Sequence, residues 1–319
     1  MFTFQEAAAA SVQARRRIKQ HIYETPLIPA RKTGQDHAAK VLFKAENFQL
    51  TGSFKLRGAM SKLSAQRQGG PLITASSGNH GIGASLAAQK LDKNLTVVLP
   101  ETVITTKLDK IKSYGAKVLF HGSEAGLAEQ HAQDLAKSGS YTYISPYNDP
   151  DIIAGQGTIG LEILEQCETV DNVFISMGGG GLISGIGSVI KAFSPKTMVY
   201  GVAATNSRAL AASIAAGRVV VTEHLPTLAE AVSGGIDEDT ITLPLATGVI
   251  DEVIECTEEE IASSMKALAL DENMLVEGSA ALALAGFKRV ASKLAGQTTV
   301  IVLCGANFDQ DVMRNILID

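Results

Sequence analysis

Short apolar runs rich in β-branched residues alternate along the chain with stretches whose apolar positions recur at helical spacing. Val41–Ala45, Leu72–Thr74, Thr96–Leu99, Lys117–Phe120 and Tyr141–Ile144 read as strands, as do Val173–Ser176, Met198–Val202, Glu252–Glu255 and Thr298–Leu303. Between them Ile82–Lys90, Thr105–Ser113, Glu124–Ser138 and Asp151–Gln166 read as helices. Thr257 with Glu260 forms a capping box that opens another, to about Asp271. Strands and helices in alternation predict an α/β fold of open, mostly parallel sheets flanked by helices. The β runs between Gly69 and Ser145 close as a small inserted domain, residues 69–145, within a larger one made of residues 1–68 and 146–319. A cleft between two such lobes is a favoured place for a ligand. The sequence contains no internal repeat, low-complexity tract or long linker.

Four consecutive glycines, Gly178 to Gly181, stand where the apolar run Asn172–Met177 hands over to the helical stretch Leu182–Phe193. Glycine loses more backbone freedom on folding than any other residue, so four together imply a need for bare backbone. At a strand-to-helix junction that need is met by an anion, held by exposed N–H groups at the positive end of the helix dipole. A plain flexible turn is the ordinary alternative, but a turn rarely uses more than two glycines. No Gly-Lys-Ser/Thr follows, which removes the triphosphate loop. The dinucleotide pattern also fails: Ser184 stands at the third position after Gly181, and the next strand ends in Ala203 and Ala204 without a ribose-binding carboxylate. What remains is a single phosphate on a cofactor.

Composition narrows the class without choosing a function. The chain has 319 residues, enough for two lobes, with 45% hydrophobic residues, 19% charged residues and a net charge of −5. Mild acidity argues against nucleic acid or an anionic membrane as partner. No apolar run has the length to cross a bilayer, and Met1–Ala10 lacks a signal-peptide pattern. Cys167, Cys256 and Cys304 are odd in number, widely spaced and without a CxxC pair. They read as reduced thiols of a cytoplasmic protein, outside any disulfide framework or zinc site.

Three further segments carry candidate chemistry. In Asn47-Phe48-Gln49-Leu50-Thr51-Gly52-Ser53-Phe54-Lys55-Leu56-Arg57-Gly58-Ala59, Lys55 falls in the first turn of a helix running to about Gln66. The helix dipole and Arg57 are both expected to lower its pKa, which suits a Schiff-base lysine. On position alone a solvated surface charge is the commoner reading. Ser76-Ser77-Gly78-Asn79-His80-Gly81 follows a buried strand and precedes a helix, so its N–H groups suit a carboxylate. A serine N-cap with a glycine turn is about equally common there. Leu303-Cys304-Gly305-Ala306-Asn307 closes the last strand and, alone, reads as a structural turn with a buried thiol.

Together these segments, with Thr25-Pro26-Leu27 and Ala154-Gly155-Gln156-Gly157-Thr158, resemble the fold type II (β-family) pyridoxal-phosphate enzymes, in particular the threonine/serine dehydratase and serine racemase group. The resemblance covers nearly the whole chain. It implies that Lys55 carries the pyridoxal 5'-phosphate and moves the substrate's Cα proton. It also implies that Phe54 lies against the cofactor ring, Asn79 meets the ring's 3-hydroxyl, and Gly178, Gly179, Gly180, Gly181 and Leu182 surround the phosphate. Ser76, Ser77, Gly78, Asn79 and His80 match the loop that holds the substrate carboxylate. Cys304 matches the residue facing the pyridine nitrogen. A neutral thiol cannot keep that nitrogen protonated as a carboxylate would, so the ring is a weaker electron sink and expulsion of a β-leaving group is favoured over a long-lived carbanion.

The resemblance separates near relatives as well. Cysteine synthases of the same fold carry Asp-Arg after the lysine, where this chain has Leu56-Arg57. Biosynthetic threonine dehydratases add a regulatory domain, whereas this sequence ends at Asp319, so a catabolic type is expected. The expected activity is dehydration and deamination of a small hydroxyamino acid, such as L-threonine or L-serine, to a 2-oxo acid and ammonia, in a homodimer. Hydroxyaspartate or another hydroxyamino acid is an alternative substrate. Racemisation of an amino acid, with Ser77 as the acid on the face opposite Lys55, is the alternative activity. Ser77 as a mere helix cap is the competing reading of that residue. Relatives that bind a divalent cation hold it with two acidic residues after the strand that follows the glycine loop. Those positions match Ala203 and Ala209 here, so no metal is expected.

Overall fold

The apolar runs become strands that are buried along almost their whole length, as parallel strands covered on both faces require. In the computed structural model, which describes residues 2–66 and 69–318, ten strands form two sheets. They are β1 (Leu27–Pro29), β2 (Lys40–Ala45), β3 (Leu72–Ala75), β4 (Leu95–Leu99), β5 (Lys117–Phe120), β6 (Thr142–Tyr143), β7 (Asn172–Ser176), β8 (Met198–Ala204), β9 (Glu252–Cys256) and β10 (Thr298–Leu303). One sheet has the order β1-β2-β10-β7-β8-β9, the other β5-β4-β3-β6. All pairings are parallel except β1 with β2, which places a short antiparallel strand at the edge of the larger sheet. The expected domain boundary at residue 68 lies outside the described residues.

The larger sheet buries the main apolar core, in which Phe174 stacks on Tyr200 and meets Phe287 edge-on. The second core gathers Leu56, Met60 and Leu63 with Leu72, Ile82 and Val97. The helix carrying Lys55 therefore packs against the smaller sheet's side of the molecule although its strand, β2, belongs to the larger sheet. The expected capping box is present: Thr257 accepts from the Glu260 N–H and Glu260 accepts from the Thr257 N–H. The helix Phe4–Ile18 was not expected from the sequence. Its Thr3–Glu6 capping box is there to be read, but its alanine-rich face lacks the large apolar repeat that marks an amphipathic helix.

Candidate active site

Both sheets point the C-terminal ends of their strands at one cleft of ≈ 1240 Å³. From β2 the chain passes through a short turn and runs beside the end of β10. Ser53 bridges Gly305, and the Phe54 N–H donates to the Cys304 carbonyl at 3.0 Å. That pairing sets Phe54 and Cys304 side by side before the helix Lys55–Ala65 begins. Lys55 sits at the cleft wall, its Nζ donating to the Pro146 carbonyl at 2.9 Å and lying 5.3 Å from the centre of the Phe54 ring. Burial lowers its pKa to about 8, against the upward pull of Cys304, Glu277 and Glu129.

Arg57 was expected to help depress Lys55, and the structure corrects this. Its guanidinium turns away from the cleft and is fully buried, donating to both Glu46 oxygens at 2.8 and 2.9 Å and to both Glu162 oxygens at 2.6 and 2.8 Å. Lys44 completes the group, 2.6 Å from Glu162. Two cations and two carboxylates thus neutralise one another beneath the helix that presents Lys55. Burial of Lys55, not repulsion from Arg57, accounts for the shift. The Ala154–Thr158 segment serves the same packing. A Cβ on Gly155 would come within 2.5 Å of the Arg57 carbonyl, and Thr158 accepts from Arg57 at 3.1 Å.

Across the cleft, β7 ends in the glycine run and the helix Gly181–Phe193 follows. Gly180 has φ +89°, a conformation that favours glycine, and it aims the first N–H groups of the helix at the cleft. The other glycines are required by close neighbours. A Cβ on Gly178 would meet the Val232 carbonyl at 2.6 Å, and one on Gly179 would meet the Tyr147 ring at 2.6 Å. Thr242 fixes the loop from behind by donating to the Gly179 carbonyl at 2.7 Å. Leu182 is buried in the same wall.

The third wall is the start of the helix Asn79–Lys90, reached from β3. Its N-cap is Gly78, with no side-chain cap, and Ser76 Oγ accepts from the Gly78 N–H at 3.2 Å. Ser77 therefore lines the cleft without capping the helix, and among the described residues its hydroxyl has no hydrogen-bond partner. His80 turns its ring inward, with Nε2 at 3.0 Å from Thr74 Oγ1 and 3.2 Å from the Ile144 carbonyl. Burial, with Lys55 nearby, lowers its pKa to about 3, so the ring is neutral and what His80 offers the cleft is its backbone N–H.

Sequence reading missed Glu277. This buried carboxylate accepts from the Asn79 amide at 2.8 and 3.1 Å and from the Asn307 N–H at 3.0 Å. Asn307 donates in turn to Asn79 Oδ1 at 2.6 Å and accepts from Lys110 at 2.8 Å. A signal was available, because Glu277 is the one charged residue between Glu272 and Lys288. Burial raises the pKa of Glu277 and pushes the Cys304 thiol well up, so both groups resist ionisation. Tyr147 was missed as well. Its ring covers Gly179, its Cα and Cβ lie against Gly181, and its hydroxyl accepts from the Asp237 N–H at 2.8 Å.

The family model described as pyridoxal-phosphate dependent enzyme matches residues 18–305. An L-threonine ammonia-lyase of Thermotoga maritima is 35% identical over 310 residues, covering 96% of this chain and 76% of that protein. Among solved structures, the processed form of threonine deaminase isoform 2 from Solanum lycopersicum superposes with a TM-score of 0.92 at 30% identity, covering 98% of this chain and 92% of that one. Maize serine racemase superposes with a TM-score of 0.89 at 27% identity, covering 96% and 95%.

Proposed function

The chain belongs to the pyridoxal-phosphate dependent enzyme family, and we propose that within it this protein is an ammonia-lyase that dehydrates and deaminates a small β-hydroxy-α-amino acid such as L-threonine or L-serine. The observation that carries this reading is the placement of Lys55, an amine with a pKa of about 8, on one wall of a cleft whose opposite wall is the tetraglycine bend. The residues present fit the cofactor. The bend is a cradle that a single Cβ would obstruct, its free N–H groups suit a phosphate, and Phe54 gives the ring an apolar surface. Pyridoxal phosphate, when bound, supplies the electron sink that acidifies the substrate's Cα–H.

Each residue then has a definite task. Lys55 would anchor the cofactor and, with burial lowering its pKa to about 8, accepts the Cα proton as general base in its neutral form, whose share grows as pH rises toward 8. Gly178–Gly181 and Leu182 would hold the phosphate, while the N–H groups of Ser76–His80 would hold the substrate carboxylate. Cys304, held protonated by burial, would face the pyridine nitrogen without charging it. Asn79, positioned by Glu277 and Asn307, would meet the ring's 3-hydroxyl edge. Water leaves from Cα and Cβ, and the unsaturated amine released takes water back to give 2-oxo acid and ammonia.

We assign residues 1–68 and 146–319 to a cofactor-binding domain and 69–145 to an inserted domain. We also propose a cytoplasmic homodimer without metal. No helix of the described residues is long and apolar enough to cross a membrane. A second activity, racemisation, is favoured by one observation: the Ser77 hydroxyl is unpartnered in the cleft wall. Assaying the holoenzyme against a hydroxyamino-acid panel, scoring oxo acid and product chirality together, tests both readings. Absence of oxo acid from every member sinks the lyase proposal.

A further inference from the structure

Between Ala216, which ends one helix, and Thr242, which starts the next, the chain forms only one short 3-10 turn, Glu230–Val232. A stretch this long without helix or strand in a compact fold is ordinarily functional. Here residues Pro226 to Leu228 and Glu230 to Asp237 line the cleft. The turn after β8 ties this stretch down at two places. The Leu225 N–H donates to the Asn206 carbonyl at 2.9 Å, and the Asn206 amide donates to the Pro226 carbonyl at 2.7 Å. Nine residues on, the Gly234 N–H donates to Ser207 Oγ at 3.0 Å, and that same oxygen lies 2.9 Å from His224 Nδ1.

Ser207 is 2% exposed and lies behind the cleft wall, outside the cleft lining itself. Oγ accepts from Gly234 and shares a hydrogen bond with His224 Nδ1, so one buried oxygen joins both ends of the wall. Gly234 has φ +120° and nothing within 4 Å of where a Cβ would stand. Its N–H bond to Ser207 ties the Gly234 backbone to the turn after β8. Val232 and Ser233 are held only by local bonds to Ala229 and Glu230.

We infer that Ser207 is a positioning residue, whose hydroxyl, oriented by His224, sets the Ser233-Gly234-Gly235 wall against the substrate's side chain. This rests on the lyase reading, in which the β-substituent would lie in the cleft that these small residues line. Ser279 and Tyr147 hold Ala231 and Asp237 on either side, so the Ser207 bond sets the segment between them and bears on how well the β-substituent fits, not on the chemistry at Cα.

The test uses the holoenzyme and three variants, Ser207→Ala, Ser207→Thr and His224→Ala, with L-serine and L-threonine as substrates. Ser207→Ala is expected to raise KM about five- to tenfold, the factor that one hydrogen bond's net worth sets, with kcat and cofactor absorbance within twofold of the parent. His224→Ala, at an exposed side chain, is expected to move KM in the same direction by less. Ser207→Thr, which keeps the hydroxyl, is expected to restore KM. Unchanged KM in Ser207→Ala, or cofactor lost in step with activity, overturns the inference. Limited proteolysis supplies a readout independent of turnover. Cleavage between residues 217 and 241 should quicken in Ser207→Ala, and an unchanged rate overturns the inference even if no hydroxyamino acid proves to be a substrate.

Discussion

The Asn79 amide nitrogen lies 2.8 and 3.1 Å from the two carboxylate oxygens of Glu277. Asn79 opens a helix leaving β3 of the smaller sheet, and Glu277 precedes the helix Gly278–Val290 against the larger one. The pair therefore joins the two sides of the cleft. Asn307 locks the arrangement by donating to Asn79 Oδ1, which leaves the Asn79 carboxamide one orientation.

Glu277 gives this junction a pH signature. Burial raises its pKa above the ordinary 4.5 in the folded protein. Below 4.5 the carboxyl is protonated in folded and unfolded chains alike. As pH rises, the unfolded chain loses the proton first, so this group's contribution to stability falls through a window that opens at 4.5. Glu277→Gln removes the titration. In urea unfolding from pH 4.5 to 7, the variant is expected to gain stability relative to the parent as pH rises. Parallel curves would show that Glu277 does not titrate in that window.

Arg57 carries a structural load that its neighbour Lys55 does not. Arg57→Met leaves Glu46 and Glu162 buried with Lys44 as their remaining cation, and is expected to cost about 3–5 kcal/mol. Urea midpoints measure this directly. A loss under ~1 kcal/mol would mean that water enters to solvate the carboxylates.

Ser77→Ala separates the two activities. Racemisation needs an acid on the face opposite Lys55, whereas elimination gives a product without a stereocentre there. The variant is expected to suppress D-amino-acid formation far more than oxo-acid formation, measured by chiral chromatography and a coupled oxo-acid assay. An equal fall in both rates means that Ser77 serves the carboxylate loop.

Chelation tests the β8 turn. Ala203 and Ala209 supply no ligand oxygens from their side chains, and Arg208 adds a cation paired with Glu255 at 3.0 Å. Hard divalent cations need oxygen donors, usually with carboxylates among them. Activity is expected to persist in EDTA, and a strong loss reversed by Mg²⁺ contradicts the assignment.

Much of this was legible in the sequence because period and punctuation carry it. The strands came from apolar runs, and Lys55, the Ser76–His80 start and the glycine bend each sit at a strand-to-helix junction, where chemistry-bearing motifs are short and local. Tyr147 and the Arg57–Glu162 pairing were illegible for the opposite reason, and Glu277 showed only as an isolated charge without a partner. Each acts on a residue far away in the chain, as Asn79 and Glu277 do across 198 positions, and no local pattern encodes such a partner. Arg57 misled because adjacency in sequence suggested repulsion, while two residues of helix, about 200° of rotation, faced it away from Lys55 and into carboxylates.

The most direct measurement is oxo-acid release from L-threonine and L-serine by the holoenzyme and by Lys55→Ala. Lys55 makes one hydrogen bond, to the Pro146 carbonyl, so its replacement is expected to leave the fold within about 1 kcal/mol of the parent. The parent is expected to release oxo acid and ammonia in equal amounts. The variant is expected to release none and to lose the visible absorbance of lysine-bound cofactor. Undiminished oxo-acid production by a folded Lys55→Ala protein would contradict the account.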